Sequence, residues 1–98
     1  MTILDKIIAF KKKEIAKIKA EVSVKKLVES PNFSRQPLSL KKSLLAVDST
    51  GIIAEFKRQS PSKGTINDKA TIAEVTNGYL DANVAAQSIL TDTSFFGG

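Results

Sequence analysis

Apolar residues recur along this chain with two different periods, and the change of period lays out its elements. From Thr2 onward, Ile7, Ile15, Ile18 and Val22 fall at spacings compatible with one helical face, interrupted by Lys11. Thr2 can cap that helix, with Asp5 three residues on completing a capping box. Ser30-Pro31-Asn32 ends the helical region, because proline disfavours helix in the residue before it. Phe33 to Leu38 is a connector containing Pro37. Ser39 starts a short second helix running to Ala46 or Val47, with Leu40, Leu44 and Leu45 on one side and Lys41 and Lys42 on the other. Asp48-Ser49-Thr50-Gly51 is a turn.

Beyond Gly51 the pattern becomes a continuous apolar run. This predicts a strand over about 52–57, of the kind buried on both faces. A polar loop follows from Arg58 to Lys69. Thr71 to Leu80 is a helix with Ile72, Val75, Tyr79 and Leu80 as its buried stripe, although Gly78 lies inside it. Asn83 can take the left-handed position after that helix. A second strand covers about 86–91. Strands joined through a helix imply a parallel, right-handed crossover. The expected class is therefore α/β: one parallel β/α/β unit over residues 51–98, preceded by a helical extension over residues 1–50.

Composition narrows the chemistry. The 98 residues contain no cysteine and no histidine. Disulfide frameworks, cysteine-based metal sites, catalytic triads and histidine bases are therefore excluded. Acid–base work falls to Lys, Glu, Asp or Tyr79. The longest apolar runs are four residues, against the roughly 20 that a membrane span requires. Lys11, Lys12 and Lys13 interrupt the one apolar stretch near the N-terminus, so no signal-peptide core is present. A cytoplasmic protein without a membrane partner is the expectation.

The net charge of +5 is unevenly spread. Residues 1–50 hold 11 Lys/Arg against 5 acids, whereas residues 51–98 hold 4 against 5. Lys6, Lys11, Lys12, Lys13, Lys17, Lys19, Lys25 and Lys26 supply most of the excess. They read as the solvated face of an amphipathic helix, since no aromatic platform or Arg-rich run accompanies them. The competing reading is a small basic module that holds nucleic acid or an acidic partner, marked by steeply salt-dependent binding.

The end of the first strand carries the sharpest signal. Glu55 and Lys57 stand two apart, so on a strand they project side by side. The chain then breaks into Ser60-Pro61-Ser62-Lys63-Gly64. A charged pair at a strand's C-terminal end, followed by a polar loop, is a layout that serves catalysis in parallel α/β folds, and also a common surface ion pair. Ser60-Pro61-Ser62 is good turn chemistry in its own right. Lys63-Gly64 is not a phosphate-binding P-loop, because the Gly-x4-Gly-Lys-Ser/Thr order is absent.

Ile53-Ala54-Glu55-Phe56-Lys57-Arg58 with Ser60-Pro61-Ser62 and Gly64 resembles the first-strand signature of the indole-3-glycerol-phosphate synthases. Ser88-Ile89-Leu90-Thr91-Asp92 followed by Phe95-Phe96-Gly97 resembles that family's second strand and the loop after it. The resemblance covers about Ser39 to Gly98, more loosely the N-terminal helix. It implies a (β/α)8 TIM barrel, of which this chain would be the N-terminal part. A whole barrel needs about 250 residues, so two of its eight strands are expected here.

The resemblance also implies a reaction. The family closes a ring in 1-(2-carboxyphenylamino)-1-deoxyribulose 5-phosphate with loss of CO2 and water, a step of tryptophan biosynthesis that uses no metal or organic cofactor. Glu55 and Lys57 match its first-strand catalytic glutamate and lysine. Ser60 matches a position lining the pocket of the anionic, phosphorylated substrate. Phe96 matches an aromatic residue near the anthranilate ring, where stacking is available, as is ordinary packing under the loop. The family's third-strand lysine and its phosphate site have no counterpart in these residues. The fragment alone is thus expected to be inactive, and its exposed strand edges to favour self-association.

Overall fold

The computed structural model describes all 98 residues, and they divide into two compact units, Met1–Pro37 and Leu38–Gly98. The first unit begins with helix α1, Ile3–Glu21. Thr2 and Asp5 form the capping box in full: Asp5 N–H donates to Thr2 Oγ1 at 3.1 Å and Thr2 N–H to Asp5 Oδ2 at 2.9 Å. Helix does not continue to Ser30 as the sequence suggests. Val22 turns extended, at φ −126° and ψ 112°. Ser23 then caps a separate helix α2, Val24–Val28, accepting from Lys26 N–H at 3.1 Å. A β-branched residue followed by a strong N-cap residue favours that break over propagation. Ile7 and Val22 are half-buried, but Ile15 and Ile18 are each 49% exposed, so the expected stripe is covered only in part.

The second unit opens with Ser39, whose hydroxyl accepts from Lys42 N–H and caps helix α3, Leu40–Leu45. Helix α3 packs on strand β4, Ala86–Ile89, and the Ser43 hydroxyl donates to the Ala85 carbonyl. Strand β1, Ile53–Phe56, pairs parallel with β4, in the register Ile53↔Ala86, Ala54↔Gln87, Glu55↔Ser88 and Phe56↔Ile89. Helix α4, Ile72–Asp81, makes the crossover between them. The α/β class and the parallel β/α/β unit are thus as the sequence predicts.

Alternation along β1 sorts its side chains. Phe56 is buried at 6% exposure and Ala54 half-buried, while Ile53 and Glu55 are exposed. Helix α4 packs on the Ala54/Phe56 face, and from that same face Gln87 Nε2 donates to the Thr76 carbonyl at 3.0 Å. The strand is therefore covered on one face, not two. Leu80 and Ile72, expected in the buried stripe of α4, are 66% and 41% exposed; Val75 and Tyr79 are half-buried. One helix over two strands leaves the outer flank of α4 exposed, and on the opposite sheet face Ile53 and Glu55 are exposed while Ala86 and Ser88 are half-buried.

Helix α4 ends through Asn83, at φ 60°. Asn83 N–H donates to the Leu80 carbonyl and Val84 N–H to that of Tyr79, the bond pair of a Schellman cap, with asparagine where glycine is usual.

The segment expected to be a plain loop holds a small antiparallel hairpin. Strands β2, Gln59–Ser60, and β3, Gly64–Thr65, pair as Gln59↔Thr65 and Ser60↔Gly64. Gly64 has φ +66°, the left-handed conformation that closes a three-residue hairpin loop. Ile66 and Asn67 N–H groups both donate to the Arg58 carbonyl and pin the hairpin's base. After β4, Asp92 caps a short helix α5, Thr93–Phe96, accepting from Phe95 N–H at 2.7 Å.

Candidate functional site

The candidate site forms on the sheet face opposite α4, at the C-terminal ends of β1 and β4. Glu55 lies on that face by alternation, and Lys57 follows it two residues on. Lys57 Nζ lies 3.2 Å from Glu55 Oε1. The two side chains are 34% and 42% exposed, so solvent screens the pair and it adds at most about 1 kcal/mol to stability. Its interest is positional: a cation and a carboxylate held side by side within reach of a ligand.

Two further residues extend the pair. Glu55's other oxygen, Oε2, accepts from the Ser88 hydroxyl at 3.3 Å. Lys57 Nζ lies 5.6 Å from the centre of the Phe96 ring, a cation–π distance. A continuous line therefore runs from Ser88 on β4 through Glu55 and Lys57 to Phe96 on α5. Short as it is, α5 is fixed at both ends: by the Asp92 cap, and by Gly97 at φ +68°, whose N–H donates to the Thr93 carbonyl. Helix α5 also packs on β2. The Arg58 guanidinium lies apart from this line, 5.3 Å from the centre of the Phe56 ring.

Of the residues singled out in the sequence, Glu55, Lys57 and Phe96 come together. Ser60 sits at the end of β2, half-buried, where its hydroxyl accepts from Lys63 N–H at 3.2 Å and lies 3.4 Å from the Ser62 hydroxyl. Its oxygen thus serves the turn. Sequence reasoning missed Ser88 as a partner of Glu55. Pairing the expected strands, 52–57 with 86–91, end to end would set Glu55 beside Ile89; the observed register differs by one residue and brings Ser88 there. Tyr79, named above for the buried stripe and as an acid–base candidate, has a partner that the sequence did not indicate: its hydroxyl donates to the Glu55 carbonyl at 3.1 Å. A cleft of about 400 Å³ opens beside it, lined by Phe56, Ile66, Asn67, Ala70, Val75 and flanks of Glu55 and Lys57. No group of three or more acidic side chains converges as a metal site would require, and no helix is long and apolar enough to cross a membrane.

Comparison with known proteins identifies the family. A family model described as indole-3-glycerol phosphate synthase matches residues 4–98. A protein of that name from Bacteroides thetaiotaomicron is 48% identical over 96 residues, covering 98% of this chain and 36% of the relative. Another, from Opitutus terrae, is 40% identical over 96 residues, covering 97% and 36%. A third, from Carboxydothermus hydrogenoformans, is 34% identical over 99 residues, covering 95% and 38%. The chain thus spans little more than a third of the length of these curated relatives. Over that span it belongs to the indole-3-glycerol phosphate synthase family.

Proposed function

We propose that residues 1–98 form the N-terminal part of an enzyme that makes indole-3-glycerol phosphate. The reaction is the decarboxylating ring closure of 1-(2-carboxyphenylamino)-1-deoxyribulose 5-phosphate, releasing CO2 and water. The carrying observation is the Glu55–Lys57 pair, 3.2 Å apart at the end of a parallel strand. In this reading β1 and β4 are the first two strands of a (β/α)8 barrel, with residues 1–50 a helical extension before it. Barrel enzymes place catalytic groups at the C-terminal ends of their strands and in the loops after them; Glu55 and Lys57 stand at the end of β1, and Ser60 and Phe96 on the segments that follow β1 and β4.

The chemistry follows from the residue types. Ring closure needs proton donation to the ketone, and the later loss of a hydroxyl needs a group that gives or takes a proton. The Lys57 ammonium binds the substrate carboxylate and is a proton donor; the Glu55 carboxylate orients it and serves proton transfer in the dehydration. Phe96 offers a ring face to the anthranilate moiety. Ser60, whose oxygen accepts from Lys63 N–H, offers its hydroxyl proton to an anionic group where Ser62 is the donor of the pair they form. The family chemistry calls on no cofactor.

A chimera tests this reading. Residues 1–98 replace the matching segment of the Bacteroides relative, and formation of indole-3-glycerol phosphate is measured. The parent chimera should turn over. Lys57→Ala and Glu55→Gln should each lower kcat by about 100-fold or more, as loss of a general acid or base does. Two variants as fast as the parent chimera overturn the assignment.

A further inference from the structure

We propose that Ser88 is a positioning residue: its hydroxyl, anchored on β4, holds the Glu55 carboxylate in the orientation that keeps it on Lys57. The inference rests on the synthase reading of the Glu55–Lys57 pair and adds a residue to it. Three observations carry it. The register pairs Ser88 directly with Glu55, and paired residues of neighbouring strands face the same side of a sheet. Ser88 Oγ donates to Oε2 at 3.3 Å while Lys57 Nζ holds Oε1 at 3.2 Å, so each carboxylate oxygen has its own partner. Glu55 is also half-exposed and borne on a flexible stem, so packing alone does not fix its rotamer.

The division of labour follows. Lys57 lies on the same strand as Glu55, so its bond constrains the carboxylate from one side only. Ser88 adds a restraint from the neighbouring strand and turns a swinging contact into a fixed plane. Lys57, suspended between that plane and the Phe96 ring, is placed by the same restraint. Removing the hydroxyl leaves every group of the pair present but free to rotate, a fault that slows the chemical step more than it weakens substrate binding.

The test uses the active chimera described above. Ser88→Ala should lower kcat by about tenfold with KM nearly unchanged, because a misplaced catalytic group costs rate. Ser88→Thr, which keeps the hydroxyl on a strand-compatible side chain, should recover most of the loss. In a Glu55→Gln background the Ser88→Ala change should add little, since the two residues act as one unit. Circular dichroism melts confirm that each variant is folded. A folded Ser88→Ala chimera with parental kcat overturns the inference, as does a Thr variant no better than Ala. So does a full extra loss in the Glu55→Gln background. A folded parent chimera without turnover overturns the synthase reading and this inference with it, whereas an active parent with an unaffected Ser88→Ala variant overturns this inference alone.

Discussion

The Tyr79 hydroxyl donates to the backbone carbonyl of Glu55 at 3.1 Å, tying the last turns of α4 to the strand residue whose side chain holds Lys57. Glu55, like Ile53, directs its carbonyl away from β4, and it is the one Tyr79 reaches. Its neighbour Phe56 gives its carbonyl to Leu90 N–H beside β4, and in a parallel ladder adjacent residues direct their backbone groups to opposite sides. Removing the phenolic oxygen leaves the Glu55 carbonyl without this donor. Tyr79→Phe should therefore destabilise the chain by about 0.5–1 kcal/mol, the low end for a hydrogen bond because the site is exposed. The midpoint of urea unfolding measures it; an unchanged midpoint would mean that water replaces the phenol at no cost.

Helix α4 offers two alanine substitutions of opposite sign. A Cβ at Gly78 would meet nothing within 4 Å, and the residue sits inside the helix with ordinary backbone angles. Gly78→Ala should stabilise by about 0.5–1 kcal/mol through lower unfolded-state entropy. Asn83, five residues on, occupies the left-handed conformation at φ 60°. Asn83→Ala should cost about 1 kcal/mol, while Asn83→Gly should be neutral or mildly stabilising. Thermal midpoints of the three variants, taken together, separate helix propensity from cap geometry.

Much of this was legible in the sequence because it is local. Thr2 with Asp5 and Ser39 before Leu40 announce helix starts through side chain to backbone bonds that reach three residues, and Asn83 announces the end of α4 because asparagine tolerates the left-handed conformation. The first strand was legible as an apolar run, and Glu55 with Lys57 through the period of two. What stayed hidden depends on partners distant in the chain. The Ser88–Glu55 bond needs the β1–β4 register, and the Tyr79 bond needs the docking of α4. The β2–β3 hairpin was missed because Gln59-Ser60 and Gly64-Thr65 are too short to show a period. Burial was overestimated for Ile53 and Leu80, whose apolar character says what they tend to cover and not what covers them.

The start of α1 responds to acid in a defined direction. Hydrogen bonds donated by Thr2, first by its backbone N–H and then by its hydroxyl, hold the Asp5 carboxyl below its ordinary value of 3.8. A group with a depressed folded pKa stabilises the fold above its unfolded pKa, and that contribution fades as pH falls through the folded value. The first turn of α1 should thus fray below about pH 4, where the anionic cap at the helix N-terminus is being protonated. Amide exchange of the first helical turn, followed from neutral to acid pH, measures the fraying. Asp5→Asn should remove the pH dependence of that turn and leave the rest of α1 unchanged; equal acid sensitivity in the variant would place the cause elsewhere.

Gly97 ties the position of Phe96 to the backbone in two separable ways. It has φ +68°, and a Cβ there would stand 2.9 Å from Gln59 Cδ. Gln59 contributes the flexible end of a side chain, so that clash can be relieved by movement or by Gln59→Ala. Backbone strain cannot be relieved in the same way, because a residue with a Cβ pays about 1–2 kcal/mol in the left-handed region. Gly97→Ala should loosen the end of α5 and move the Phe96 ring off Lys57, and the Gln59→Ala background should restore only part of the loss. Chemical shifts of the Lys57 side-chain methylenes report the ring directly, since an aromatic face at 5.6 Å from Nζ shields them. Full recovery in the double variant would show that contact with β2, and not the glycine conformation, sets where α5 ends.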